Sequence, residues 1–115
     1  SGTFLPQVTY ATDTSPQSVA VVDVNNDNRP DIVVANWGSN NVGVLLNTGS
    51  GTFLPQVTYP TGTNPWSVAV ADVNNDNSPD MVVANYGSGD LNVLFNTGSG
   101  TFLPKVTYAT GNNPW

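Results

Sequence analysis

The sequence predicts an all-β fold built from repeated four-stranded antiparallel units, and three observations carry that prediction. The hexapeptide Ser1-Gly2-Thr3-Phe4-Leu5-Pro6 returns at Ser50–Pro55 and at Ser99–Pro104, a period of 49 residues. Short Val-, Ala- and Thr-rich runs alternate with Asn, Gly and Pro clusters throughout. No window shows a 3.6-residue apolar period, and Gly or Pro interrupts every long one.

The 115 residues divide into repeat one (1–49), repeat two (50–98) and a partial third repeat (99–115). Repeats one and two align without gaps and differ at 13 of 49 positions, which implies recent duplication or deliberate construction. Each repeat reads as four strands. The first, Thr3–Tyr10 (Thr52–Tyr59, Thr101–Tyr108), contains a proline and has one polar face, as an edge strand does. The second, Ser18–Val24 (Ser67–Val73), and the third, Asp31–Asn36 (Asp80–Asn85), are apolar on both faces, as covered strands are. The fourth, Val42–Leu46 (Leu91–Phe95), ends at a turn beginning Asn47 or Asn96. A unit with covered inner strands and an edge-like strand describes a β-propeller blade. A parallel β-helix uses shorter coils, and a sandwich shows one-sided alternation in most strands.

Composition narrows the function. Charged residues make up 9% of the chain and apolar ones 38%, with polarity supplied by Asn, Thr, Ser and Gly. That differs from ordinary disorder, which couples few apolar groups to high charge. There is no cysteine and no histidine, so disulfides and Ser-His or Cys-His nucleophiles are excluded. Arg29 and Lys105 are the only cations against a net charge of −6, which leaves no footprint for nucleic acid or for an anionic membrane. No apolar run reaches the length of a membrane span. The chain begins at Ser1 with neither methionine nor signal peptide, and is read as a processed product, an excised fragment or an engineered chain.

The chemistry concentrates between the second and third strands. Asp23-Val24-Asn25-Asn26-Asp27-Asn28-Arg29-Pro30-Asp31 is matched by Asp72-Val73-Asn74-Asn75-Asp76-Asn77-Ser78-Pro79-Asp80. Oxygen side chains fall at loop positions 1, 3, 5 and 9: Asp23, Asn25, Asp27 and Asp31, then Asp72, Asn74, Asp76 and Asp80. That spacing wraps a hard cation, with a backbone carbonyl from position 7 (Arg29, Ser78). The side chain at position 7 is expected to point away, which explains the exchange of arginine for serine. Asn28 and Asn77 are placed where the loop needs a left-handed residue. Six of the eight carboxylates lie in these windows, where they repel one another unless a cation intervenes. The bland alternative is an Asx-rich hairpin turn, which needs one or two such oxygens rather than four. Oxygen ligands favour Ca²⁺, one ion per complete repeat and two per chain. An EF-hand is excluded because Val34 and Val83 stand where its bidentate glutamate belongs.

The loop, the Ile/Met-Val-Val-Ala-Asn that follows it and the preceding Gly-Thr-Phe together resemble the FG-GAP/VCBS repeat of integrin α-subunit-like β-propellers. The resemblance covers the whole chain. It implies a propeller with Ca²⁺ in a hairpin loop of each blade, usually extracellular and structural or adhesive. Members usually carry about seven repeats, whereas this chain has two complete ones. Two blades leave their inner faces open, so the chain is expected to close a ring by self-assembly, as a trimer of six blades or a tetramer of eight. A second reading is a sugar-binding lectin. Trp66 and Trp115 follow Asn-Pro, and Trp37 and Tyr86 share one place after the third strand. Trp37, Trp66 and Tyr86 are thus candidate contacts for a glycan or protein ligand, against the simpler reading that they pack between blades. Catalysis has little support, since Asp13 and Asp90 stand isolated from the loops.

Overall fold

A computed structural model of the chain describes residues 6–109. Eight strands form in sequence order: β1 (Pro16–Val22), β2 (Asp31–Asn36), β3 (Asn41–Leu45), β4 (Val57–Pro60), β5 (Pro65–Ala71), β6 (Asp80–Asn85), β7 (Asp90–Leu94) and β8 (Val106–Ala109). They make two antiparallel meanders, β1-β2-β3-β4 and β5-β6-β7-β8. The only helical element among the described residues is a single 3-10 turn, Trp37–Ser39.

The second, third and fourth strands of each repeat lie within two residues of their expected bounds. The first does not belong where the repeat count put it. Val57–Pro60 is the outer strand of sheet one, pairing with β3, and Val106–Ala109 likewise pairs with β7. Each sheet therefore takes its fourth strand from the start of the following repeat. In repeat one, residues 6–10 form no strand, and residues 3–5 of that expected strand lie outside the described residues. A period fixes spacing but not phase, and pairing chose the phase. The proline explains why the strand starts late: only an isolated bridge, Asn47 to Phe53 or Asn96 to Phe102, precedes it.

The two sheets stack face to face. Val24, Val33, Ala35, Val42 and Val44 of sheet one meet Val68, Met81, Val83 and Leu94 of sheet two, and Phe102 closes the outer end. Strand alternation sends the other faces outward. The consequence is that equivalent residues meet different fates. Val68 is 7% exposed and Val19, its counterpart in repeat one, 62%. Val24 is fully buried while its counterpart Val73 is 49% exposed. Each sheet thus has one face covered by the other sheet, and the opposite faces lie at the two ends of the pair. On sheet one that face leaves Val19 and Val21 exposed, while Val34 and Leu45 on it are buried.

Candidate metal centres

Asp23 and Asp72 open the loops that follow β1 and β5. Asp23 Oδ1 accepts from the N–H groups of Asn25 (3.2 Å) and Asp27 (3.2 Å), and Oδ2 from Asn28 N (2.8 Å). Asp72 accepts from Asp76 N (3.1 Å) and Asn77 N (2.8 Å). Burial pushes both carboxyls up, but it is outweighed by the loop's own N–H groups. Those of Asn28, Asp27, Asn25 and Asn26 hold Asp23 below its ordinary value of 3.8. Those of Asn77, Asp76, Asn75 and Asn74 do the same for Asp72.

Tight wrapping needs left-handed backbone. Asn28 (φ 63°) and Asn77 (φ 67°) supply it as the sequence predicts, and Asn26 (φ 61°) and Asn75 (φ 60°) supply a second such residue per loop. Asparagine tolerates this region through local side-chain hydrogen bonding. That second position was missed, although the Asn-Asn and Asp-Asn pairs were its signal.

Asp31 and Asp80 close the loops and are fully buried. Each also does something the spacing did not announce. Asp31 accepts from Val24 N (2.9 Å) and Asn47 N (2.8 Å); Asp80 accepts from Val73 N (3.1 Å) and Asn96 N (2.8 Å). One carboxylate therefore ties the loop to the turn after the third strand.

In each loop the three carboxylates converge. Oxygens of Asp23, Asp27 and Asp31 lie within 4.8 Å of one another, and so do those of Asp72, Asp76 and Asp80. One head atom of the Asn74 amide lies 3.1 Å from Asp72 Oδ1, 3.0 Å from Asp76 Oδ1 and 3.3 Å from Asp80 Oδ2. With nitrogen there, the amide's two N–H groups face the three carboxylates; with oxygen there, four oxygens converge around space for a cation. Asn25, at the same loop position in repeat one, has a buried Oδ1 without a donor. An orphaned buried oxygen and an all-oxygen donor set fit a hard divalent ion.

Position 7 differs between the loops. The Arg29 guanidinium lies across Gly49, with Nη1 3.9 Å from Asp27 Oδ2. Its side chain is largely exposed, but its head folds back toward the site. Ser78 is buried instead; the backbone is the same in both loops, Ser78 N donating to Asp76 Oδ1 and Arg29 N to Asp27 Oδ1, each at 3.0 Å.

Trp37, Trp66 and Tyr86 meet at one end of the stacked sheets. Ring centroids are 5.4 Å apart for Trp37 and Trp66, 5.7 Å for Trp37 and Tyr86, and 6.3 Å for Trp66 and Tyr86. Trp66 occupies a register shift between Pro65 and Ser67, where the strand pairing is interrupted. Trp115 lies outside the described residues. The two isolated aspartates act as acceptors: Asp13 for Asn41 and Gln56, Asp90 for Asn85 and Ser88.

Repeated four-stranded antiparallel sheets, each with an oxygen-lined loop between its first two strands, define a class of non-helical repeat module. The sequence profile of the FG-GAP-like repeat matches residues 23–83, more than half of the chain. The chain belongs to the FG-GAP-like repeat family, whose repeats are typically structural and extracellular. Comparison with curated proteins and with solved structures returned no match. No helix among the described residues is long and apolar enough to cross a membrane.

Proposed function

We propose that the chain is a calcium-binding, non-catalytic β-propeller module with a structural or adhesive role outside the cell. The observation that carries this reading is the pair of oxygen clusters at equivalent places in both repeats. Asp23, Asn25, Asp27 and Asp31, with the carbonyl of Arg29, would hold one ion. Asp72, Asn74, Asp76 and Asp80, with that of Ser78, would hold the other. Bound Ca²⁺ supplies charge neutralisation, and binding only the folded loop stabilises the fold by mass action. The geometry gives that stabilisation a path. The loop that Asp31 closes carries Val24 into the core between the sheets, and Asn96 Nδ2 reaches across to Val24 O at 2.7 Å. Calcium at the first loop therefore supports the inter-sheet contact itself. Melting with and without a chelator tests the reading: a lower melting temperature in EDTA is expected, and an unchanged one overturns it.

The open faces extend the proposal to self-assembly. The covered interface joins the Val33 and Val44 face of sheet one to the Val68 and Val83 face of sheet two. Further copies can add in the same way, the Val19 face of one copy against the Val73 end of the next, until a ring closes. A trimer gives six blades and a tetramer eight. A solution mass that is a multiple of the chain's is expected, and a monomeric mass at micromolar concentration contradicts it.

The aromatic cluster favours a second reading, a glycan-binding surface. Trp66 and Tyr86 keep 39% and 38% of their surface exposed although all three rings touch. Binding on a glycan array that Trp66→Gln abolishes would support it. Without such binding the cluster is inter-sheet packing.

A further inference from the structure

Each metal loop is gripped from the turn that follows β3 or β7 of its own repeat. Asn47 N donates to Asp31 Oδ1 at 2.8 Å, and Asn47 Nδ2 to Pro30 O at 2.9 Å. Asn96 repeats both bonds in the second repeat, its N on Asp80 Oδ1 at 2.8 Å and its Nδ2 on Pro79 O at 2.9 Å. Their side-chain oxygens also accept alike, from Gly49 N and from Gly98 N, each at 2.8 Å.

Asn96 does one thing more. Its Nδ2 also donates to Val24 O at 2.7 Å, across the junction between the sheets. Val24 lies between Asp23 and Asn25 in the first loop, and its own N–H donates to Asp31 Oδ2 at 2.9 Å. A continuous path of hydrogen bonds therefore runs from Asp80 through Asn96 and Val24 to Asp31. It joins a carboxylate of one candidate centre to a carboxylate of the other. Asp80, Val24 and Asp31 are fully buried and Asn96 nearly so, so a broken link leaves a polar group that water does not rescue. A packing contact runs beside the path. Gly100, in the turn that Asn96 opens, has φ +85°, and a Cβ there would lie 2.7 Å from Asn25 Cβ. Gly100 N donates to Asn96 Oδ1 at 3.3 Å, so the turn of repeat two rests on Asn25, whose buried Oδ1 lacks a donor.

We propose that Asn96 is a positioning residue that couples the two centres, so that an ion at either loop raises the affinity of the other. This rests on the calcium reading above. Asp80 turns Oδ1 to Asn96 N and Oδ2 toward the head of Asn74, and a bond to the far oxygen of a ligand orients the near one. Ordering at the second loop thus fixes Asn96, and Asn96 fixes Val24 and Asn25 in the first. Both centres need the same arrangement of this path. What one ion has ordered the other need not order again, which makes the coupling positive, and linkage makes it reciprocal.

Calorimetric titration with CaCl₂ of the parent chain and of two single-centre variants, Asp76→Asn and Asp27→Asn, measures the coupling. The deciding ratio is the two-ion association constant of the parent over the product of the two single-centre constants. Coupling of ordinary size puts that ratio at about 5 or more. Asn96→Ala keeps the N–H on Asp80 but loses the link to Val24, so in that background the ratio should fall to about one. Asn47→Ala loses the equivalent local bonds and should keep it. A parent ratio of about one overturns the coupling and leaves the calcium reading standing. A ratio that survives in Asn96→Ala, or that falls equally in Asn47→Ala, overturns the role of Asn96, because coupling through the stability of the whole fold behaves in that way. Should Asn96→Ala not fold, Gly100→Ala, which presses a methyl on Asn25, replaces it with the same expected fall, and an unchanged ratio there overturns the route. Absence of calcium binding by the parent overturns both readings.

Discussion

At the scale of single residues, the two loops share a design but differ in charge. Arg29 brings a cation within 3.9 Å of Asp27, where repeat two has the neutral Ser78. An exposed pair of this kind is worth about 0.2–1 kcal/mol. Arg29→Ser should therefore tighten calcium at the first loop by roughly 1.5- to 5-fold, read by isothermal titration; unchanged or weaker binding would show that the guanidinium does not compete. The acid response follows from Asp23 and Asp72, whose folded-state pKa values are depressed. Their contribution to stability is present above the unfolded value of 3.8 and is lost as pH falls through the lower folded value. In EDTA, the melting temperature should hold steady down to about pH 5 and fall below about pH 4, less steeply in Asp23→Asn. The ligand spacing and the left-handed Asn28 and Asn77 were legible in the sequence because one loop contains them. The hydrogen bonds of Asp31 to Asn47 N and of Asp80 to Asn96 N were not, since each spans 16 residues whose path only the sheet fixes.

At the scale of elements, β2, β3 and their repeats were legible because continuous Val-rich runs between turn residues leave little choice of boundary. The ownership of the outer strand was not. Thr52–Tyr59 carries the same pattern whichever sheet it joins, and pairing with β3 rather than with its own repeat is a topological choice. The stacking of the sheets yields a sharper expectation. Val19 and Val68 are the same residue in successive repeats, one exposed and one in the core. Val68→Asp buries an unpaired carboxyl and should cost at least about 3 kcal/mol, enough to unfold a marginal domain. Val19→Asp should leave the melting temperature of the lone chain within a few degrees while lowering the assembled mass. Equal destabilisation by both, measured by circular dichroism, would contradict the assignment of open and covered faces.

At the scale of the whole molecule, the oxygen-lined loops and the stacking of the sheets belong to one structure. The first carboxylate loop also carries Val24 into the inter-sheet core, and its counterpart in repeat two presents Val73 on the open face. Ion binding should therefore raise the stability of the sheet pair and the tendency of copies to associate together, and chelation should lower both. The number of copies in the proposed assembly was never legible, because a sheet-to-sheet contact is local and does not count its repetitions. The most direct measurement is titration of the chelator-stripped chain with CaCl₂, following heat and melting temperature together. Two ions should bind per chain, with a melting temperature that rises as they bind. Absence of binding heat, with a melting temperature indifferent to calcium, would contradict it.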